Sequence, residues 1–251
     1  MLTTNLSDNS TKCSEYFFPN QLFFMLLWGW TIDVTYICSS CSEPRGSERL
    51  PSAKEWEGRT VILFIDACAR KGSRSRELAE AALSYISEED PEVEKVCLYD
   101  CDLKPLTENM IEARNDALNK NDYSGEIFNL SRQFAGADII IMAVPYWDLS
   151  FPAILKLYLE AVSVNGVTFT YDDKGVPHGM CKATKLYYVT TAGGEIGNNN
   201  YGYEYVKALT RGLFGVADTK CIRAVGLDME NVDARRVLEN AKSQLRDILL
   251  C

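Results

Sequence analysis

A chain of 251 residues, 47% of them hydrophobic, is long enough to bury a full core as one domain with an appendage. Its formal net charge of −9 argues against a general nucleic-acid surface, which needs a basic face to displace phosphate counterions. Nine cysteines, an odd number spread along a domain that needs no cross-links, read as reduced thiols in the cytoplasm rather than as a disulfide framework.

Residues 1–58 read as an N-terminal extension, polar at first and aromatic-rich from Tyr16 to Ile37. Pro19, Asn20, Gln21 and Asp33 interrupt that patch and leave Leu22–Trp30 as its apolar run, well short of the roughly 20 residues that cross a bilayer. An accessory segment, a poorly ordered extension and a signal or anchor all remain open readings. Cys38 and Cys41 form a CxxC pair, but no second pair or neighbouring histidine completes a zinc site, so no metal is expected.

The main domain is expected over residues 59–251. Thr60–Asp66 reads as its first strand and Arg76–Ile86 as an amphipathic helix. Between them, ACARKGSRS has the makings of a phosphate cradle: Gly72 permits close backbone approach, Ser73 and Ser75 offer hydroxyls, and Arg74 offers a bidentate donor. The same serines would also serve as helix N-caps.

Lys95–Asp100 reads as a second strand, Leu106–Asn121 as a charged helical segment, and Ser124–Ala135 as a helix leading into the central strand. Asp138–Val144 is a continuous Ile- and Val-rich run suited to a strand buried on both faces. Pro145 stops it, and Tyr146, Trp147 and Asp148 form a loop before apolar residues recur at helical spacing from Phe151. A loop at the C-terminal end of a buried strand is where open α/β sheets bind ligands, and two large aromatics here suit a flat one.

Gly166–Tyr171 reads as a turn and a short extended segment, followed by the turn formers Asp172, Asp173 and Gly175. Leu186–Thr191 is a fourth strand ending in Ala192, Gly193 and Gly194, where bare backbone leaves room for a ring. A helix over Tyr203–Phe214, a fifth strand over Cys221–Val225 and a closing helix over Val232–Leu250 complete the chain. The alternation predicts an α/β doubly wound, five-stranded parallel sheet with helices on both faces. His178, the one histidine, lies in the polar segment DDKGVPHGM with no nucleophile elbow in view, so hard chemistry falls to a cofactor.

Taken together, ACARKGSRS, AVPYWDLSFPAILKLYLEAV, GVTFTY and TAGG resemble the flavodoxin-like FMN-dependent NADH:quinone oxidoreductase and azoreductase family, within the NAD(P)H dehydrogenase (quinone) group, over about residues 59–250. The resemblance implies a flavodoxin-like fold and places Ser73, Arg74 and Ser75 at the FMN phosphate. It places Pro145, Tyr146, Trp147, Asp148 and Leu149 on one flavin-contacting loop, and Thr191, Ala192, Gly193 and Gly194 on another. Phe169 would line the substrate pocket, from its own or a neighbouring subunit. The family's early loop serine is replaced by Ala67, its asparagine by Asp148, and the arginine of its Ser-Arg-Gly-Gly loop is missing. A carboxylate at 148 near the flavin would oppose an anionic reduced ring.

The activity so implied is two-electron, ping-pong hydride transfer from NADH or NADPH through flavin N5 to a quinone, azo or nitroaromatic acceptor. It needs no protein nucleophile and is carried out by a homodimer. Two alternatives compete with it. One is a flavodoxin-like FMN module for electron transfer or sensing. The other is a low-molecular-weight-type cysteine phosphatase, whose C-x5-R-S pattern is matched by Cys68, Arg74 and Ser75.

Overall fold

The computed structural model describes residues 60–87, 91–198 and 200–250. The extension expected over residues 1–58 lies outside them. Among the described residues seven strands form: β1 (Val61–Asp66), β2 (Glu92–Cys97), β3 (Ile139–Pro145), β4 (Phe169–Tyr171), β5 (Pro177–Gly179), β6 (Lys185–Thr191) and β7 (Asp218–Ala224). The helices are α1 (Arg74–Ile86), α2 (Glu108–Lys120), α3 (Asn129–Gly136), α4 (Ala153–Val162), α5 (Tyr201–Leu209), α6 (Ala234–Ser243) and α7 (Leu245–Leu250).

Five strands pair in parallel in the order β2-β1-β3-β6-β7, as the alternation predicted. Their side chains divide by parity, as a pleated strand requires. Leu63, Ile65, Ile140, Met142, Leu186 and Tyr188 face one layer, with Phe134 of α3, Leu155, Tyr158 and Leu159 of α4, and Val206 of α5. Ile62, Phe64, Ile141, Ala143, Tyr187 and Val189 face the other, with Leu78 and Ala82 of α1, Leu238 of α6, and Leu245 and Leu249 of α7. Burial of both faces explains why β1 and β3 read as unbroken apolar runs rather than as alternation. Each fully buried aliphatic or aromatic side chain contributes roughly 1.5–3 kcal/mol to holding a helix on the sheet.

The boundaries differ where sequence signals compete. β2 begins at Glu92, earlier than expected, because it is an edge strand with partly exposed Glu92 and Glu94 and no apolar run to announce it. The expected closing helix breaks at Gln244 into α6 and α7. The helix predicted over Tyr203–Phe214 is α5 followed by a π-turn over Thr210–Phe214, stopped by Gly215 at φ +80°. Gly166–Tyr171 forms the expected turn and short extended segment, the latter being β4, and β4 pairs antiparallel with β5, which carries His178.

What positions the site is the strand order. From β1 the chain moves outward to β2 on one side, and β3, β6 and β7 continue on the other. The loops leaving β1 and β3 therefore diverge, and a crevice opens at their C-terminal ends. Registers Asp66↔Ala143, Pro145↔Thr191 and Thr191↔Ala224 bring the ends of β1, β3, β6 and β7 side by side.

Candidate functional site

A cavity of about 330 Å³ opens at this crevice, lined by three predicted loops and one that was not predicted. Ser73, Arg74 and Ser75 come from the turn into α1, Pro145, Tyr146 and Trp147 from the end of β3, and Thr191, Ala192 and Gly193 from the end of β6. Arg70 and Gly72 complete the first loop, and Leu227 and Asp228 come from the loop after β7. Asp148, Leu149, Gly194 and Phe169 do not line it.

Ser73 caps α1, its Oγ accepting from Arg76 N at 3.5 Å, so the capping and cradle readings apply to the same residue. Ser75 is buried and shares a 2.7 Å hydrogen bond with Thr191 Oγ1, which ties the start of α1 to the end of β6. Arg74 reaches across the cavity, donating from Nη1 to Leu227 O at 3.2 Å and from Nη2 to Asp228 Oδ1 at 2.6 Å. Two of its five N–H groups are engaged this way, and three remain for an anion.

The Asp228 loop is held against the β6 loop by backbone bonds. Leu227 N donates to Ala192 O at 3.1 Å, Asp228 N to Gly193 O at 2.8 Å and Gly226 N to Gly194 O at 3.1 Å. A Cβ on Gly193 would collide with the Asp228 carboxylate, so glycine is needed there for close approach. Gly194 is exposed, with nothing within 4 Å of an added Cβ, and carries no such requirement.

On the opposite wall, Tyr146 is half-buried and Trp147 is 40% exposed. Trp147 and Ser150 exchange two backbone hydrogen bonds, Trp147 N to Ser150 O at 3.1 Å and Ser150 N to Trp147 O at 2.7 Å. Between them Asp148 and Leu149 both have positive φ, +51° and +65°, the signature of a type I′ hairpin turn. Asparagine and aspartate tolerate that backbone, so the Asp148 position is shaped by the turn. Its carboxylate sits at the exposed turn and not on the cavity wall, contrary to the concern the sequence raised. The carboxylate that does line the cavity is Asp228.

Phe169 is buried in the β4–β5 hairpin, edge-on to Tyr171 at 5.4 Å between ring centroids, and does not reach this cavity. His178 is exposed on the same hairpin, 3.3 Å from Asp172 Oδ2. Cys68 is buried against β3, its Sγ donating to Ala143 O at 3.4 Å, and burial pushes its thiol up to about 12. A thiol held protonated in this way is not the thiolate nucleophile a phosphatase needs. Among the described residues no cluster of histidine, cysteine and carboxylate side chains is arranged to hold a metal.

The cavity fits a flavin mononucleotide in kind. Its α1 end offers Arg70, Arg74 and two serines to a phosphate, the added-Cβ space at Gly72 is empty, and its β3 end offers aromatic surface to a ring. Asp228 has no motif of its own in the sequence, and its place on the cavity wall follows from its close approach to Gly193. The signal that was present is GLDME at the C-terminal end of a strand two places from the switch point.

Comparison with known proteins gives the family and the fold. The family described as a flavodoxin-like fold matches residues 60–249. An FMN-dependent NADH:quinone oxidoreductase of Clostridium perfringens is 33% identical over 189 residues, covering 71% of this chain and 92% of the relative. A protein of the same name from Lachnoclostridium phytofermentans is 31% identical over 189 residues, covering 73% of this chain and 94% of that one. Among solved structures, an azoreductase from Bacillus anthracis superposes with a TM-score of 0.65 at 23% identity, covering 75% of this chain and 98% of the other. An FMN-dependent NADH-azoreductase from the same organism, solved in complex with FMN, gives 0.62 at 20% identity, covering 75% and 97%. At those identities the structures speak to the fold. With the matched stretch spanning the whole described domain, this chain belongs to the flavodoxin-like fold family, among the FMN-dependent NADH:quinone oxidoreductases.

Proposed function

We propose that this chain is an FMN-dependent NAD(P)H oxidoreductase acting on quinones, azo compounds or nitroaromatics. The observation that carries the reading is one cavity at the sheet's switch point with an anion-binding end and an aromatic end. The chemistry supplied by bound FMN is two-electron hydride transfer through N5, taken from NADH or NADPH and given in a second, separate half-reaction to the acceptor.

The protein's own part is binding and orientation. Ser73, Ser75, Arg74 and the backbone before α1 hold the phosphate end. Pro145, Tyr146 and Trp147 wall one side of the ring, and Thr191, Ala192 and Gly193 line the other side. Trp147, with 40% of its surface exposed, also offers a stacking face to nicotinamide and acceptor in turn. Asp148 and Leu149 act through the turn that sets the Trp147 backbone. Phe169 serves a substrate pocket only in an assembly, and a homodimer is the form in which the site is complete. We place the enzyme in the cytoplasm, where Cys68, Cys97, Cys101, Cys181 and Cys221 remain free thiols. No helix among the described residues is long and apolar enough to cross a membrane.

Steady-state turnover tests the reading. NADH oxidation that depends on both added FMN and a benzoquinone or an azo dye is expected. FMN binding without acceptor-dependent turnover would favour the electron-transfer or sensing module instead.

A further inference from the structure

Arg76, in the first turn of α1, engages all three of its guanidinium nitrogens, two on the loop that precedes it and one on Asp66. Nη2 donates to Cys68 O at 2.8 Å, and Nη1 donates to Arg70 O and Lys71 O, each at 2.9 Å. Nε is ion-paired with Asp66, whose other carboxylate oxygen accepts from Cys68 N at 2.9 Å. Only 20% of the Arg76 side chain and 11% of Asp66 are exposed, so water competes weakly for these bonds.

One planar group thus gathers three carbonyls of a short loop. In a trans peptide the N–H points opposite the C=O of the same unit. Drawing the carbonyls of 68, 70 and 71 onto Arg76 therefore turns the N–H groups of Ala69, Lys71 and Gly72 away from it. None of those three N–H groups has a hydrogen-bond partner among the described residues. Gly72 lines the cavity, with nothing within 4 Å of an added Cβ. A loop with its carbonyls withdrawn and its N–H groups presented is what an anion requires, because a carbonyl oxygen facing a phosphate would repel it.

We infer that Arg76 is the positioning residue of the phosphate loop, holding its carbonyls away from the anion while Asp66 neutralises and aims the guanidinium. This rests on the FMN reading given above. Arg76 does not touch the phosphate itself. It shapes the backbone that does, and its charge is already matched by Asp66.

The test uses the full chain as wild type, Arg76→Lys and Arg76→Gln. Flavin-fluorescence titrations with FMN and with riboflavin, which lacks the phosphate, are paired with amide hydrogen exchange of residues 67–75 without ligand. Lysine retains the charge opposite Asp66 but cannot span three carbonyls, so both variants should lose FMN affinity by about tenfold or more, the worth of a charge-assisted contact or two. Riboflavin affinity should stay within about twofold, and exchange should rise in residues 67–75 while β1, β3 and β6 keep their protection. Arg76→Lys carries the test alone if Arg76→Gln does not fold. The inference is overturned if Arg76→Lys keeps the wild-type preference for FMN over riboflavin, which would make charge sufficient. It is equally overturned if the variants lose both flavins together with core protection. A wild-type protein that binds FMN no better than riboflavin would refute the FMN-phosphate reading itself, without reference to any variant, and the inference with it.

Discussion

Replacing Asp228 with asparagine should tighten FMN while slightly weakening the fold, an unusual pair of signs for a residue engaged in an ion pair. Arg74 Nη2 and Asp228 Oδ1 lie 2.6 Å apart, with 33% and 64% of the two side chains exposed. Exposed pairs of this kind contribute about 0–1 kcal/mol, so the stability loss should fall in that range. On the binding side, Asp228 is a carboxylate on the wall of a cavity whose other charged lining residues are Arg70 and Arg74. A unit charge about 6 Å from a phosphate in a water-like dielectric costs about 0.7 kcal/mol, and a phosphate near pH 7 carries about 1.5 to 2 charges. Removing that charge, and loosening the hold on Arg74 Nη2, should gain about 1 kcal/mol, or about fivefold in FMN affinity. The assay is a fluorescence titration at low ionic strength, repeated with riboflavin as the control that lacks the phosphate. Added salt should shrink the difference, since the Debye length is about 10 Å at 0.1 M. An unchanged or weaker FMN affinity in Asp228→Asn would refute the reasoning and indicate that Asp228 aims Arg74 rather than competing for it.

One buried and two partly buried thiols make the fold alkali-sensitive. Burial pushes Cys68 and Cys181 up to about 12 and Cys221 up to about 11. A folded-state value above the unfolded one means that the unfolded chain releases its protons first. Stability should therefore be full below the ordinary thiol range and fall from about pH 9 towards 11, as urea melts across that range would reveal. A stability flat to pH 11 would contradict the burial of these groups. At the turn between Trp147 and Ser150, Leu149 holds φ +65° with 49% of its surface exposed, so Leu149→Gly should remove backbone strain at little cost in packing. It should stabilise the protein by about 0.5–1 kcal/mol in thermal melts, whereas a clear destabilisation would show that Leu149 packs against something.

The parallel sheet was legible because its central strands are buried on both faces. Runs such as VILFID and IIIMAV have no reading as solvent-facing segments, and the loops that follow them fall at strand ends by necessity. Edge strand β2 was blurred because Glu92, Glu94 and Lys95 carry no apolar signal. Nine of the residues the family resemblance suggested do converge on the cavity, from Ser73 to Gly193. Asp148 and Leu149 were indistinguishable from ring contacts in one dimension, since a turn residue and a wall residue are neighbours in sequence. Asp228 and Arg76 were missed for a related reason. One lies in a loop with no motif of its own, and the other looks like an ordinary charge on a helix surface until its guanidinium is seen on three loop carbonyls. Pairings that join positions far apart, such as Arg74 with Asp228 or Ser75 with Thr191, leave no periodic trace.

The central claim is that this cavity holds FMN and cycles it between a nicotinamide donor and an aromatic acceptor. Its most direct test is the visible spectrum of the FMN-loaded chain under argon, first with one equivalent of NADH and then with one of a benzoquinone. The flavin bands should bleach with the first addition and return with the second. A protein that takes up no FMN, or whose bound FMN does not bleach with either NADH or NADPH, would contradict the account.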